Sequence, residues 1–236
     1  MRDVEKQREF YRQQAQCYDE MCAFDKCDEH YVASAVLCGL FDLYKISSLL
    51  DLGCGTGRSL AYLRDHAPKI TLSGVEPVEA LRQQCLEKGF TAEQIQDGDA
   101  CQLDLPDASV DCVSMFGVLH HIPAPEKAIQ EALRVARRMV IISDHNIYGM
   151  GSPATRLLKQ SFRILGLRRA LGWIMTHGKG YHDTDWDGVF YPFSLIDYFE
   201  QIRSQASQVF CFSTKTPAVN LLRNASHVAI VAIKPQ

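Results

Sequence analysis

No stretch of this 236-residue sequence is long and apolar enough to cross a bilayer. The longest nearly apolar run, Tyr31 to Phe41, leads straight into Asp42 and Lys45. Charge of one sign is not in excess either: 25 Lys and Arg face 28 Asp and Glu, a formal −3. Nothing global therefore points to nucleic acid as a partner. There is no repeat and no low-complexity segment, and 47% hydrophobic with 22% charged residues excludes disorder. The opening MRDVEKQREFYRQQ is charged throughout, which predicts no secretory signal. A disulfide framework is also missing. Nine Cys is an odd number, and Cys38, Cys112 and Cys211 sit inside apolar runs. They read as small core residues in a reducing cytoplasm.

What is present is an alternation. Residues 1–45 read as helical, with apolar and aromatic positions three to four apart. Short apolar runs at Ser48–Leu52, Ile70–Val75, Val110–Met115 and Arg138–Ser143 then alternate with helical stretches at Ser59–His66, Val78–Lys88 and Pro125–Arg134. That order predicts an α/β fold, a mostly parallel sheet covered on both faces. Beyond Ser143 the alternation stops: residues 146–192 are rich in Gly, aromatic and basic residues, with an amphipathic helix or helix pair at Pro153–Thr176. A helix near Phe193–Ser207 and strands at Gln208–Ser213 and Val228–Ile233 close the chain. The economical reading is one domain: a helical segment (1–45), a core (46–145), a cap insertion (146–192) and a terminal helix with two strands (193–236).

One motif carries chemistry. In Asp51-Leu52-Gly53-Cys54-Gly55-Thr56-Gly57 the glycines leave a strand and open a helix. Glycine there permits positive φ and close approach of a ligand to the backbone, and the helix start favours an anionic group. Glu76, nineteen residues after Gly57, ends the next strand, where a carboxylate can accept from both hydroxyls of a ribose. The acid immediately before the glycines, Asp51, would oppose a pyrophosphate but suit an ammonium. A third acid, Asp99, could accept from the exocyclic amine of adenine, with the Ala100 N–H donating to a ring nitrogen.

DLGCGTGRSL, GVEP and GDACQLDLPDASVDCVSMFGVLHHI, in that order, resemble the successive motifs of class I S-adenosylmethionine-dependent methyltransferases. The resemblance runs over residues 46–145, is extended by the two terminal strands, and is to the small-molecule branch that includes quinone-biosynthesis and sugar or natural-product enzymes. It implies a Rossmann-like sheet of seven strands with the last antiparallel. It further implies S-adenosylmethionine held by Asp51, Gly53 and Gly55 around the methionine part, Glu76 on the ribose, and Asp99 and Ala100 on the adenine. Phe116 joins that set, and FYRQQAQCYDEM is similar to the family's N-terminal helix, whose tyrosine (here Tyr18) closes over the cofactor. The alternatives are a nicotinamide-dependent oxidoreductase using the same turn, or a non-catalytic partner that binds cofactor only for stability.

A methyl acceptor with a hydroxyl or acidic C–H would gain from a base. His120, His121 and His145 all follow strands at the edge where such sheets place ligands, and His182 lies in the cap. His145 is the preferred base, with His121 second; the family's counterpart of the His120–His121 pair often only shapes the pocket. No metal is expected: Asp144 and Asn146 lack the rest of a ligand set, and Cys17, Cys22 and Cys27, at five-residue steps on a helical pattern, would not share a face. Tyr181, Trp186, Phe190, Tyr191 and Phe193, interleaved with Asp183, Asp185 and Asp187, are the expected acceptor wall. Arg156, Lys159, Arg163, Arg168 and Arg169 alternate with apolar residues in the cap. They fit a solvated helix over the site, a peripheral membrane contact with a lipid-linked acceptor, or recognition of an anionic soluble one. The strand sequence Ser114-Met115-Phe116-Gly117 departs from the Asn-Pro-Pro-Tyr type used on planar amides and bases, so nucleic acid is not an expected acceptor.

Overall fold

The structure, a computed structural model, describes residues 2–21, 24–26, 28–215 and 220–235. Helices α1 (Arg2–Gln14), α2 (Tyr18–Met21) and α3 (Glu29–Phe41) come first. Asp28 caps α3, its Oδ1 accepting from the N–H groups of His30 and Tyr31 at 2.7 and 3.0 Å. Then follow β1 (Ser48–Leu52), α4 (Arg58–His66), β2 (Thr71–Val75), α5 (Glu79–Glu87), β3 (Ile95–Gln96), β4 (Val110–Phe116), α6 (Pro125–Val135) and β5 (Ala136–His145). The chain continues through α7 (Pro153–Ile164), α8 (Arg168–Met175), a hairpin of β6 (His182–Thr184) and β7 (Gly188–Phe190), α9 (Phe199–Arg203), β8 (Gln208–Ser213), α10 (Leu221–Asn224) and β9 (His227–Ile233).

Seven strands form one sheet in the order β3-β2-β1-β4-β5-β9-β8. Strands β1 to β5 are parallel, and β9 runs antiparallel to both β5 and β8. The last strand is thus the one that opposes the other six, as the resemblance implied. Alternate residues of each strand feed two cores. Leu50, Leu52, Val113, Met115 and Ile142 pack on one face against Ile129 and Leu133 of α6 and Ile202 of α9. Leu49, Cys112, Met139 and Ile141 pack on the other against Leu37 of α3 and Leu60 and Leu63 of α4. Cys54, Cys85 and Cys112 are buried, and all seven described cysteines are free thiols. Cys22 and Cys27 lie outside the described residues.

Three features depart from the expected layout. Strand β3, two residues long, is too short to show a period. The stretch Phe193–Ser207 begins not as a helix but extended, because Asn146 bridges to Ser194 and the Ile147 N–H donates to the Phe193 carbonyl; a 3₁₀ turn (Leu195–Tyr198) and the short α9 follow. The segment 146–192 divides in two. Helix α7 packs on α8 and on α10, away from the glycine turn, whereas the β6–β7 hairpin packs against α1.

Candidate active site

The carboxyl ends of β1, β2 and β4 open into a cavity of about 320 Å³. Asp51, Gly53, Gly55, Glu76, Asp99, Ala100, Tyr18 and Phe116, the eight residues expected around a cofactor, all line it. The glycine turn explains the opening. Gly53, Gly55 and Gly57 have φ of 70°, 57° and 76°, where a side chain would be strained. A Cβ on Gly53 would lie 2.6 Å from Val118, whereas one on Gly55 would meet nothing and stand in the cavity.

Asp51 is the penultimate residue of β1, near its carboxyl end and level with Gly74 and Ser114 of the flanking strands. It is 2% exposed and accepts from Ser114 Oγ at 2.7 Å. Glu76, 5% exposed, accepts from Gly55 N–H at 3.0 Å and Val78 N–H at 2.9 Å, one on each oxygen. Burial drives both carboxyls up to about 7, and the Glu76 charge adds to the rise of Asp51. Among the described residues no ion pair joins either acid to a basic side chain. Asp99 is exposed and spends Oδ1 on the Cys101 N–H at 2.8 Å, leaving Oδ2 for any ligand. Tyr18 opens α2 under the Arg58 guanidinium, 5.3 Å above its ring, and meets Tyr11 edge-on. Phe116 stacks on His30, whose Nδ1 is buried without a hydrogen-bond partner.

A second cavity of about 380 Å³ adjoins the first and shares Tyr11, Tyr18, His30, Arg58, Gly117 and His121 with it. His120, His145, Trp186 and Asp187 complete much of its wall. His120 Nδ1 lies 2.7 Å from Asp144 Oδ1 and its Nε2 3.4 Å from Asp187 Oδ2. Burial opposes charge on His120, but these two carboxylates raise it to about 10. Asp144, in turn, is held below the ordinary carboxylate range despite its burial. His121 donates from Nδ1 to the Val189 carbonyl at 2.7 Å, which leaves Nε2 to accept from the Tyr11 hydroxyl at 2.9 Å. Burial and the charge of His120 lower its pKa.

The two expected catalytic histidines are therefore placed differently. His121 faces both cavities. His145 lines only the second, its ring stacked 4.0 Å from that of His120, and burial together with that charged neighbour lowers it to about 2. A group so weakly basic is a poor proton acceptor, which counts against the preference for His145. His182 starts β6 against Phe190 and lines neither cavity. Of the expected acceptor wall only Trp186 and Asp187 arrive. Phe193 is buried in the core, and the Tyr191 hydroxyl donates to Asp3. No residue of α7 or α8 lines either cavity, so the basic helices do not form a cover over the site. That cover is made by α1 and the hairpin. Gln7 takes the Val189 N–H and donates to the Asp187 carbonyl at 3.1 Å. Neither Gln7 nor Tyr11 carries a sequence signal beyond its place in a stretch read as helical.

Residues 50–142 match the family described as methyltransferase domain. The chain is 30% identical over 106 residues to 27-O-demethylrifamycin SV methyltransferase of Amycolatopsis mediterranei, covering 43% of this chain and 39% of that one. It is 28% identical over 132 residues to phosphatidylethanolamine N-methyltransferase of Cereibacter sphaeroides, covering 53% and 62%. The chain thus spans under two thirds of the length of these curated relatives. Among solved structures, a SAM-dependent methyltransferase of Thermotoga maritima superposes with a TM-score of 0.62 at 17% identity, over 96% of this chain and 99% of that one.

Proposed function

We propose that this chain, which belongs to the class I S-adenosylmethionine-dependent methyltransferases, carries a methyl group from that cofactor to an O, N or C atom of a small or lipid-linked metabolite. The observation that carries the reading is the pair of buried acids, Asp51 and Glu76, both raised to about 7 in one cavity with no cation paired to them. A ligand that brings positive charge and hydroxyl donors relieves both, because each carboxylate oxygen keeps a free lone pair. An adenosyl sulfonium with an ammonium and a ribose diol fits that donor set. A dinucleotide pyrophosphate would add negative charge beside acids that already resist ionisation, and the nicotinamide alternative finds no support.

In this assignment Asp51 takes the ammonium, Glu76 the ribose hydroxyls, and Asp99 Oδ2 with the Ala100 N–H the adenine edge. Gly53 and Gly55 let the backbone approach, while Tyr18 and Phe116 exclude water. When bound, the cofactor supplies a methyl group on a cationic sulfur that leaves readily. The chain's task is then alignment and desolvation. The second cavity, continuous with the first along Tyr11, Tyr18 and His121, is where the acceptor lies, with His121 the histidine nearest the junction and His145 in the far wall.

The acceptor's class is a proposal drawn from relatives named as a 27-O-demethylrifamycin SV methyltransferase, a phosphatidylethanolamine N-methyltransferase and a ubiquinone biosynthesis O-methyltransferase. A lipid-linked acceptor is supported by the exposed apolar face of α7 and α8, where Leu157, Ile164, Leu165, Trp173 and Ile174 are all exposed. Of the basic residues there, Lys159 donates to the Ile147 and Met150 carbonyls, and Arg163 and Arg168 pair with Asp197. These three serve the fold, which leaves the apolar face, with Arg156 and Arg169 beside it, as the attraction to a bilayer surface. Free thiols throughout the described chain suit a cytoplasmic protein. The test is calorimetry with S-adenosylmethionine, S-adenosylhomocysteine and the nicotinamide dinucleotides, followed by transfer of labelled methyl to phenols, amines and phospholipid vesicles. Binding of the adenosyl pair alone is expected; no binding, or preference for a dinucleotide, would end the proposal. Binding without transfer to any acceptor would favour the non-catalytic alternative.

A further inference from the structure

We propose that the second cavity holds a divalent transition-metal ion, bound by His120 Nε2, His121 Nε2 and the carboxylate of Asp187. The three come from two places in the chain. His120 and His121 lie side by side in the 3₁₀ turn after β4, with ring centroids 4.0 Å apart, and Asp187 stands in the turn of the β6–β7 hairpin. The turn and the hairpin meet because the Tyr191 N–H donates to the His120 carbonyl at 2.7 Å. Asp187 Oδ2 is 3.4 Å from His120 Nε2, and Oδ1 is 3.4 Å from His121 Nε2. One ligand atom from each of the three residues lies within 4.8 Å of the others, near the spacing of about 3.4 Å that an ion about 2.1 Å from each ligand sets in a tetrahedral site.

The other ring nitrogens point the same way. A metal-bound histidine is usually fixed by a carboxylate or backbone carbonyl at its second nitrogen. His120 Nδ1 has Asp144 Oδ1 at 2.7 Å, and His121 Nδ1 has the Val189 carbonyl at 2.7 Å. The alternative grouping of His120, Asp144 and His145 is weaker as a binding set. Asp144 already accepts from the Leu119 and His145 N–H groups, at 2.8 and 2.6 Å, and acts as the orienting acid. Two imidazoles with one carboxylate suit zinc or iron(II) and disfavour magnesium or calcium, which prefer oxygen. Three protein ligands leave positions open, and all three residues line the second cavity. The Tyr11 hydroxyl, 2.9 Å from His121 Nε2, is the group an incoming ion would displace.

The inference rests on the second cavity being the acceptor's, and it gives the acceptor a chemical class: a hydroxyl, phenol or thiol able to coordinate. On coordination the acceptor's proton leaves to solvent. The lone pair left on its O or S forms the new bond to the methyl carbon, and the C–S bond of the cofactor breaks with its electrons staying on sulfur. The test is a titration of the EDTA-stripped full chain with Co²⁺, followed in the visible, with Zn²⁺ as competitor. One equivalent is expected to bind with d–d bands and to be displaced by zinc. Asp187→Asn should weaken binding at least about 100-fold, and Asp144→Asn about 10- to 100-fold. His66→Ala, at a surface histidine stacked on Tyr62, should change nothing. Asp187 lies outside the cofactor cavity, so Asp187→Asn should keep its affinity for S-adenosylhomocysteine within threefold. That control shows a folded chain and separates this test from that of the methyltransferase reading. No spectral change on adding cobalt overturns the proposal, as does cobalt binding that survives Asp187→Asn or is lost only in His145→Ala.

Discussion

Asp111 and Asp51 are buried acids on the adjacent strands β4 and β1, at opposite ends of the sheet, and they are treated in opposite ways. At the amino end, burial alone would raise Asp111. The Ser47 hydroxyl and N–H donate to it at 2.6 and 2.9 Å, Arg137 lies 2.9 Å away with Arg138 behind, and together they hold it below its ordinary value. At the carboxyl end, Asp51 has one hydroxyl and Glu76 two backbone N–H groups, and neither has a paired cation. The fold supplies countercharge where the acid only ties strands together. Where the acid lines the cavity it forms no ion pair: Arg8 and Arg82 act on Glu76 only from a distance, and burial still outweighs them.

The largest effect that would sharpen this contrast is on affinity. Glu76→Ala should weaken S-adenosylmethionine binding about 100-fold or more, since two charge-assisted bonds are lost, whereas Asp111→Asn should leave it within threefold. Calorimetry on both variants decides, and similar losses in the two would break the comparison. Stability should move the other way. Asp111→Asn should cost about 1–3 kcal/mol in denaturant melts, because the Ser47 and arginine donors lose a charged partner. Asp51→Asn, which keeps a carbonyl for Ser114 and removes an unbalanced charge, should stabilise the ligand-free chain by about 1–2 kcal/mol at pH 8.

A smaller effect appears in pH dependence. Asp51 and Glu76 rise from 3.8 and 4.5 to about 7 in the folded chain. They hold protons more tightly folded than unfolded, so their contribution to stability falls as pH climbs from about 4 to about 7. A cationic ligand favours the ionised acids, and its affinity should therefore rise over the upper part of that window. Melts of wild type and the Asp51→Asn, Glu76→Gln double variant from pH 5 to pH 8 should diverge with rising pH; parallel curves would refute the assignment. The smallest effect concerns the cover. Gly188, at φ 63°, lies where a Cβ would overlap Gln7 and crowd Phe10. Gly188→Ala should cost about 1 kcal/mol and speed amide exchange in α1 several-fold, with little change in the sheet.

The sheet was legible because its signals are local. Apolar runs at Ser48–Leu52 and Val110–Met115, a glycine turn and an acid at a fixed interval each report on neighbouring residues; the positions they suggested, together with Tyr18 and Phe116, which came with the family resemblance, line one cavity. The acceptor side was not legible, because its walls come from segments 110–180 residues apart: Tyr11 against His121, Gln7 against Asp187. A row of aromatics and acids at 181–193 looked like a lining, yet only the hairpin's turn points inward. The neighbours of His145 decided its basicity, and neither the Asp144–His120 contact nor the ring stacking on it has a periodic signature. Of the three cysteines spaced by five, Cys22 and Cys27 lie outside the described residues, so the structure does not bear on that spacing.

The position of β9 has a consequence for how the molecule is made. β5 carries Asp144 and His145 at its end, and among the described residues its flank away from β4 is closed by residues 227–233, which are also the partner of β8. During synthesis the glycine turn, β1, β2 and β4 emerge well before that final segment. A nascent chain therefore displays the apolar edge of β5, Met139 to Ile142, with nothing alongside it. The cell's folding helpers would be needed most in that interval, before residues 227–233 emerge to pair with β5.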